Sequence, residues 1–154
     1  MTLRSVPADL RTDFRDGAPG DSPAFRIEGE EITAHADTMR VQQIFSNLLD
    51  NAWKHGGPKG EILVEVGRAN GDAVVRVSDR GEGIPPGESE RIFNRFYRVD
   101  RSRSQAVPGV GLGLAIAKHL VLLHGGTIRA FNRPGGGATF EVRLPAAGMS
   151  SAGP

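Results

Sequence analysis

Asn47, Asn51, Lys54 and His55 are spaced so that, at about 100° per residue, a helix through them carries all four on one stripe. Val41, Phe45, Leu48, Leu49 and Ala52 fall on a separate apolar stripe of the same helix. Asn is a poor helix former, yet two stand in mid-helix one turn apart. An amide oxygen is a hard, neutral ligand suited to Mg²⁺, which usually keeps waters and shares its shell with phosphates. A Lys one turn on can meet a phosphate as a point charge. The combination is what a magnesium nucleotide requires. The plain alternative is the polar side of any surface helix.

Two glycine loops add to it. DRGEGIP (79–85) follows a strand pattern directly. Gly81 and Gly83 let its backbone turn sharply and approach a ligand, and the Asp79 carboxylate could accept a hydrogen bond from an exocyclic amine, selecting adenine over guanine. An ordinary tight turn is the alternative. PGVGLGLAIAKHL (108–120) sets Gly109, Gly111 and Gly113 at the start of a helix, where exposed N–H groups and the helix dipole favour an anion. A Rossmann reading fails, because the third glycine of GxGxxG would fall on Leu114 and no strand comes just before. A P-loop reading fails because no lysine sits in GxxxxGK[ST]. A plain glycine-rich connector remains the alternative.

Between the loops lies RIFNRFYRVDRSRS (91–104). Ile92, Phe93, Phe96 and Tyr97 can anchor one end, and Arg91, Arg95, Arg98, Arg101 and Arg103 supply donors. An anchored, mobile, arginine-bearing segment beside a phosphate site reads as a lid; a solvated charged loop is the alternative.

The elements that must position these residues follow from periodicity. A helix is expected near Pro7–Arg15 and a strand over Ala24–Glu28. A long helix capped by Asp37 runs to about His55 and stops at Gly56-Gly57-Pro58. Strands over Glu61–Arg68 and Ala73–Ser78 flank an Asn70-Gly71 turn. A short helix should open Glu88–Phe96, followed by a mobile segment over Arg98–Gly111. A second apolar helix, Leu112–Leu123, ends at Gly125-Gly126, and strands over Thr127–Asn132 and Ala138–Leu144 flank the turn RPGGG. This order predicts an α+β two-layer sandwich, a mixed, mostly antiparallel sheet covered on one face by helices.

Composition sets the outer limits. The 154 residues are one domain's length, with Gly 21 and Pro 10 supplying turns. With Cys 0 there is no disulfide, CxxC site or thiolate zinc, which fits a reducing compartment. Net charge is +1, so electrostatics give no reason to expect nucleic acid as a partner. No run is long enough for a membrane span. His119 and His124 are five apart and share no helical face, so no metal pair is expected.

Taken together, NLLDNAWKH (47–55), DRGEGIP (79–85), IFNRFYR (92–98) and GVGLGLAIAKHLVLLHGG (109–126) resemble, in order and spacing, the N, G1, F and G2 boxes of bacterial sensor histidine kinases. Each box alone is weak; four in order are highly specific. The resemblance covers roughly Asp37 to Leu144 and implies their catalytic ATP-binding domain, of the Bergerat (GHKL) fold. It implies that Asn51 binds Mg²⁺, that Asn47 supports the same metal–triphosphate region, and that Lys54 contacts phosphate. His55 would stand beside adenine and ribose, Asp79 would accept the adenine amine, and Gly81 and Gly83 would shape that pocket. Phe93 and Phe96 would position the lid, and Arg98, with Arg95 second, would meet the terminal phosphate. Gly109, Gly111, Leu112 and Gly113 would wrap the phosphates, while Asn47, Lys54 and Arg98 would serve the transfer itself. Arg80 and Val110 depart from a frequent Asn and Thr, and the neighbouring glycines should make both tolerable.

Hydrolytic members of this fold carry a Glu about one turn before the metal Asn. Here that residue is Asn47, and an amide is no general base, which suits transfer to a protein histidine rather than to water. The family's phosphoacceptor His lies on a helical hairpin that dimerises as a four-helix bundle. The 36 residues before Asp37 cannot hold one, and HADTMR around His35 does not resemble the acceptor motif. The expected organisation is therefore a segment 1–23 leading in from a separate dimerisation/phosphoacceptor domain, the catalytic domain over 24–145, and a disordered tail over 146–154. ATP and Mg²⁺ are the implied cofactors. The implied partners are that acceptor domain and a response-regulator receiver domain, with a homodimer for the full-length protein and a monomer for this piece. A cytoplasmic location follows, possible also as the cytoplasmic part of a membrane-bound sensor. The alternatives are a Bergerat-fold serine kinase of the anti-sigma type and a nucleotide-binding regulatory module without catalysis.

Overall fold

The computed structural model describes residues 24–30, 32–34, 36–56, 61–94 and 112–145. In chain order they form β1 (Ala24–Gly29), α1 (Thr38–Gly56), β2 (Glu61–Ala69), β3 (Asp72–Ser78), a single 3₁₀ turn (Arg91–Phe93), α2 (Gly113–Leu123), β4 (Thr127–Asn132) and β5 (Ala138–Pro145). The expected helix near 7–15, the lid and the tail lie outside the described residues.

The five strands make one sheet in the order β1-β2-β3-β5-β4. β1 pairs parallel with β2, which requires a crossover, and α1 supplies it. The other three pairings are antiparallel. The β2–β3 hairpin closes through Asn70 (φ 51) and Gly71 (φ 85), the left-handed pair that a two-residue turn demands.

Period-2 alternation sends Ile62, Val64 and Val66, then Ala73, Val75 and Val77, then Phe140, Val142 and Leu144 to one face, all buried. The helices cover that face. Val41, Ile44, Phe45, Leu48, Leu49 and Ala52 of α1 and Ala117, Leu120 and Val121 of α2 complete the core. The Asp37 carboxylate caps α1, with Oδ1 accepting from the N–H groups of Met39 (2.9 Å) and Arg40 (3.3 Å). Such a cap contributes about 1 kcal/mol. The Asp37 N–H also donates to His124 Nε2 at 3.3 Å, tying the start of α1 to the end of α2.

The opposite sheet face is polar. Glu141, 1% exposed, sits in register between Arg76 and Arg129. It accepts hydrogen bonds from the Nε groups of Arg76 (2.8 Å), Arg129 (2.9 Å) and Arg143 (3.1 Å). Desolvation alone would raise its pKa, but the three guanidiniums win and hold it at about 2.

The short helix expected over Glu88–Phe96 is only the 3₁₀ turn within the described residues. Pro85-Pro86-Gly87 delays its start, and among the described residues 88–94 Ile92 and Phe93 are the buried ones. With few apolar side chains to bury, a longer helix would gain little from packing.

Candidate functional site

α1 brings Asn47 and Asn51 to one side, both partly buried, and carries Lys54 and His55 in its last turns. The Lys54 ammonium rests on Asp50 at 3.0 Å. Asn47 Nδ2 is the one buried side-chain nitrogen or oxygen without a hydrogen-bond partner among the described residues. An unpaired buried donor costs about 1–3 kcal/mol. A ligand oxygen would satisfy it.

Gly113, the first residue of α2, faces this amide. A Cβ built there would stand 3.8 Å from Asn47 Cγ, with Oδ1 at 3.9 Å. The N-cap residue, Leu112, makes no side-chain cap hydrogen bond, and the N–H groups and dipole at a helix start favour an anion. The structure thus brings Gly113 to Asn47, 66 positions apart in the chain. Arg98, Gly109 and Gly111 lie outside the described residues, as do Arg95 and Phe96.

The donor set fits Mg²⁺ held jointly with phosphates. Asn47 and Asn51 offer neutral oxygens, and no group of three or more His, Cys, Asp or Glu able to hold a metal by itself occurs among the described residues. An ion that keeps waters and shares phosphate ligands needs no such cage.

Asp79 directly follows β3 and is 3% exposed. Its Oδ1 accepts from the N–H groups of Gly81 (2.8 Å) and Ala138 (3.2 Å). No described residue hydrogen-bonds its Oδ2. A buried carboxylate with one oxygen fixed and the other free is an acceptor set for an incoming N–H donor. Gly83 has φ 82 and does turn the chain as expected, whereas Gly81 is not among the glycines with positive φ. Its part is the N–H given to Asp79.

The site also draws on residues that the sequence pattern did not single out. Arg133 Nη1 donates to the Asp79 carbonyl at 3.0 Å. Gly137 (φ 96) lies so close that a Cβ would stand 2.0 Å from that same carbonyl oxygen. Asn132 Oδ1 accepts from the Ile84 N–H at 2.6 Å, and its Nδ2 donates to the Ile84 carbonyl at 3.0 Å. The only local signal for these was the RPGGG turn, which fixes a hairpin but not what the hairpin touches. Phe93 is buried and packs edge-on against Phe140 (centroids 6.1 Å apart), with the Lys118 ammonium 5.7 Å from its ring. It anchors the chain just ahead of the expected lid.

The family described as "Histidine kinase-, DNA gyrase B-, and HSP90-like ATPase" matches residues 36–148. The chain is 46% identical over 148 residues to the sensor-like histidine kinase SenX3 of Mycobacterium tuberculosis, covering 95% of this chain and 33% of that protein. It is 46% identical over 111 residues to the sensor protein KdpD of Escherichia coli, covering 72% of this chain and 12% of KdpD. Among solved structures, the mycobacterial sensor histidine kinase MprB superposes with a TM-score of 0.83 at 30% identity, covering 95% of each chain. The chain thus spans a third or less of the curated relatives named here.

Proposed function

The chain belongs to the histidine kinase-, DNA gyrase B- and HSP90-like ATPase family, and from that premise we propose that it is the ATP-binding catalytic domain of a sensor histidine kinase. It binds Mg-ATP and passes the γ-phosphoryl group to a histidine on a separate dimerisation/phosphoacceptor domain, from which a response-regulator receiver domain takes it. The unit doing this is 24–145, with 1–23 leading in from the acceptor domain.

The observation that carries the reading is the Asp79 carboxylate. It is buried and fixed through Oδ1 by two backbone N–H groups, and among the described residues nothing hydrogen-bonds its Oδ2. That suits the adenine amine, which a guanine carbonyl would replace with a second acceptor. On the phosphate side, Asn47 Nδ2, unpaired among the described residues, and the start of α2, where the Leu112 side chain gives no cap, both suit anionic oxygens. Asn51 would hold Mg²⁺, which supplies charge neutralisation on the phosphates, and Asn47 would support the same metal–triphosphate region. Lys54 would leave Asp50 for the triphosphate. His55 would lie beside adenine and ribose, Gly109 and Gly111 would join Leu112 and Gly113 around the phosphates, and Arg98 would meet the γ-phosphate.

In the transfer, the acceptor imidazole nitrogen forms a bond to the γ-phosphorus as the bond to the β,γ-bridging oxygen breaks, and ADP leaves. Asn47 cannot deprotonate a water, so hydrolysis does not compete. SenX3 and KdpD are named as sensors, which supports assigning a sensory part and a regulator partner to the whole protein. Among the described residues no helix is long and apolar enough to cross a membrane, and we assign the domain to the cytoplasmic side of its parent protein.

The test uses γ-labelled ATP with a histidine-bearing acceptor domain supplied in trans. The reading expects acid-labile, base-stable label on that domain. Acid-stable label would indicate a serine kinase instead, and ATP binding without any label would indicate a regulatory module.

A further inference from the structure

We propose that Asn132 is a positioning residue for nucleotide binding, acting through the loop Asp79–Ile84 rather than by touching the nucleotide. The inference rests on the reading of that loop as the adenine site.

The loop is held at both ends by the β4–β5 hairpin. At its start, the Asp79 N–H donates to the Ala138 carbonyl at 2.9 Å, Ala138 N–H returns a bond to Asp79 Oδ1, and Arg133 binds the Asp79 carbonyl. This end has three ties and is an extension of the β3–β5 ladder, whose register ends at Ser78 and Thr139. At its far end, the polar ties to the hairpin among the described residues are the two from Asn132. Its carboxamide meets Ile84 as a neighbouring strand would, accepting from the N–H and donating to the carbonyl.

Gly83 shows how close this approach is. A Cβ there would stand 2.6 Å from Asn132 Oδ1, and its φ of 82 is one that side chains avoid. The Ile84 side chain, 8% exposed, then plugs into the core. Asn132 ends β4 and is itself exposed on its other side. It fills no core space, so its removal leaves no cavity and no buried partner beyond Ile84.

The consequence for binding is entropic. A loop already tied at both ends pays little ordering cost when a base docks against it; one whose far end keeps only the packing of the Ile84 side chain must have its backbone ordered in part by the ligand. Asn132 therefore sets nucleotide affinity more than fold stability. Asn132→Ala removes both ties. Asn132→Asp keeps the acceptor for the Ile84 N–H but sets an oxygen against the Ile84 carbonyl.

The experiment combines calorimetric ATP titration, thermal unfolding and amide hydrogen exchange on the wild-type chain and both variants. The expected result for Asn132→Ala is roughly 5- to 10-fold weaker ATP binding. Faster exchange should be confined to the amides of 81–84, and the unfolding temperature should stay near that of the wild type. Asn132→Asp should fall between. Unchanged ATP affinity in Asn132→Ala would overturn the proposal even if the loop exchanges faster, since the residue would then be merely structural. A drop in affinity matched by global loss of protection would overturn it too. Absence of ATP binding by the well-folded wild type would instead sink the adenine-site reading itself, a distinct outcome.

Discussion

Gly113, the first residue of α2, lies against the Asn47 side chain of α1, so that a Cβ placed on it would be 3.8 Å from Asn47 Cγ. The contact brings a helix start whose N-cap residue gives no side-chain cap and an amide donor unpaired among the described residues to the same place. That distance is ordinary van der Waals contact, so Gly113→Ala is accommodated without a clash. Ala is the better helix former by up to about 1 kcal/mol. The variant should be at least as stable as the wild type in urea unfolding, yet bind ATP about tenfold more weakly, because the methyl group occupies the approach to the first-turn N–H groups. Equal affinity would mean that phosphate does not pass between Gly113 and Asn47.

Asn47 should show the opposite trade. Replacing it with Leu removes the orphaned Nδ2 and should raise stability by about 1–2 kcal/mol, while abolishing Mg-dependent ATP binding. Thermal unfolding with and without Mg-ATP reads both effects at once. The wild type should be shifted upward by the ligand and Asn47→Leu should not.

Two glycine substitutions separate backbone strain from site damage. Gly71 has φ 85 but open space around it, whereas Gly137 has φ 96 and would push a Cβ to 2.0 Å from the Asp79 carbonyl oxygen. Gly71→Ala should cost about 1 kcal/mol and leave ATP affinity intact. Gly137→Ala should cost 2 kcal/mol or more, on the order of the larger single-site effects, and should lose ATP binding as Asp79 is displaced. Denaturant unfolding paired with nucleotide titration distinguishes them.

Much of this architecture was legible in the sequence. The alternation of Ile62, Val64 and Val66, the Asn70-Gly71 turn and the Asp37 cap gave the hairpin and the long helix to within a residue or two. Local pattern could not show that β1 runs parallel to β2, since that follows from where α1 crosses. Within Glu88–Asn94 it expected a short helix where the described residues form a 3₁₀ turn with Ile92 and Phe93 buried. It was silent on Asn132 and Arg133, whose partners Ile84 and Asp79 lie 48 and 54 positions away. An exposed Asn at a strand end has no local signature separating it from solvent-facing neighbours. Glu141 was likewise invisible, because its burial depends on arginines from three strands.

Glu141 predicts a pH dependence. Its carboxyl is held at about 2 in the fold against an ordinary 4.5, by the three guanidiniums. A group depressed on folding contributes stability above its unfolded pKa, and that contribution is lost as pH falls through the folded value. Glu141→Gln should therefore lower stability by about 2–3 kcal/mol at pH 7. The gap should narrow steadily from pH 4.5 toward pH 2, as the wild-type carboxyl takes up its proton. Urea unfolding of both proteins across that window is the measurement; a gap independent of pH would assign the effect to packing instead.

The most direct test of the adenine and magnesium assignments is calorimetric titration of the chain with ATP, with and without Mg²⁺, beside Asp79→Asn. Asparagine keeps the shape and one acceptor but presents an amide donor where the base offers its own N–H. Saturable, Mg-strengthened binding that Asp79→Asn removes is the predicted result. Binding that survives Asp79→Asn undiminished, or no binding by a well-folded wild type, would contradict the account.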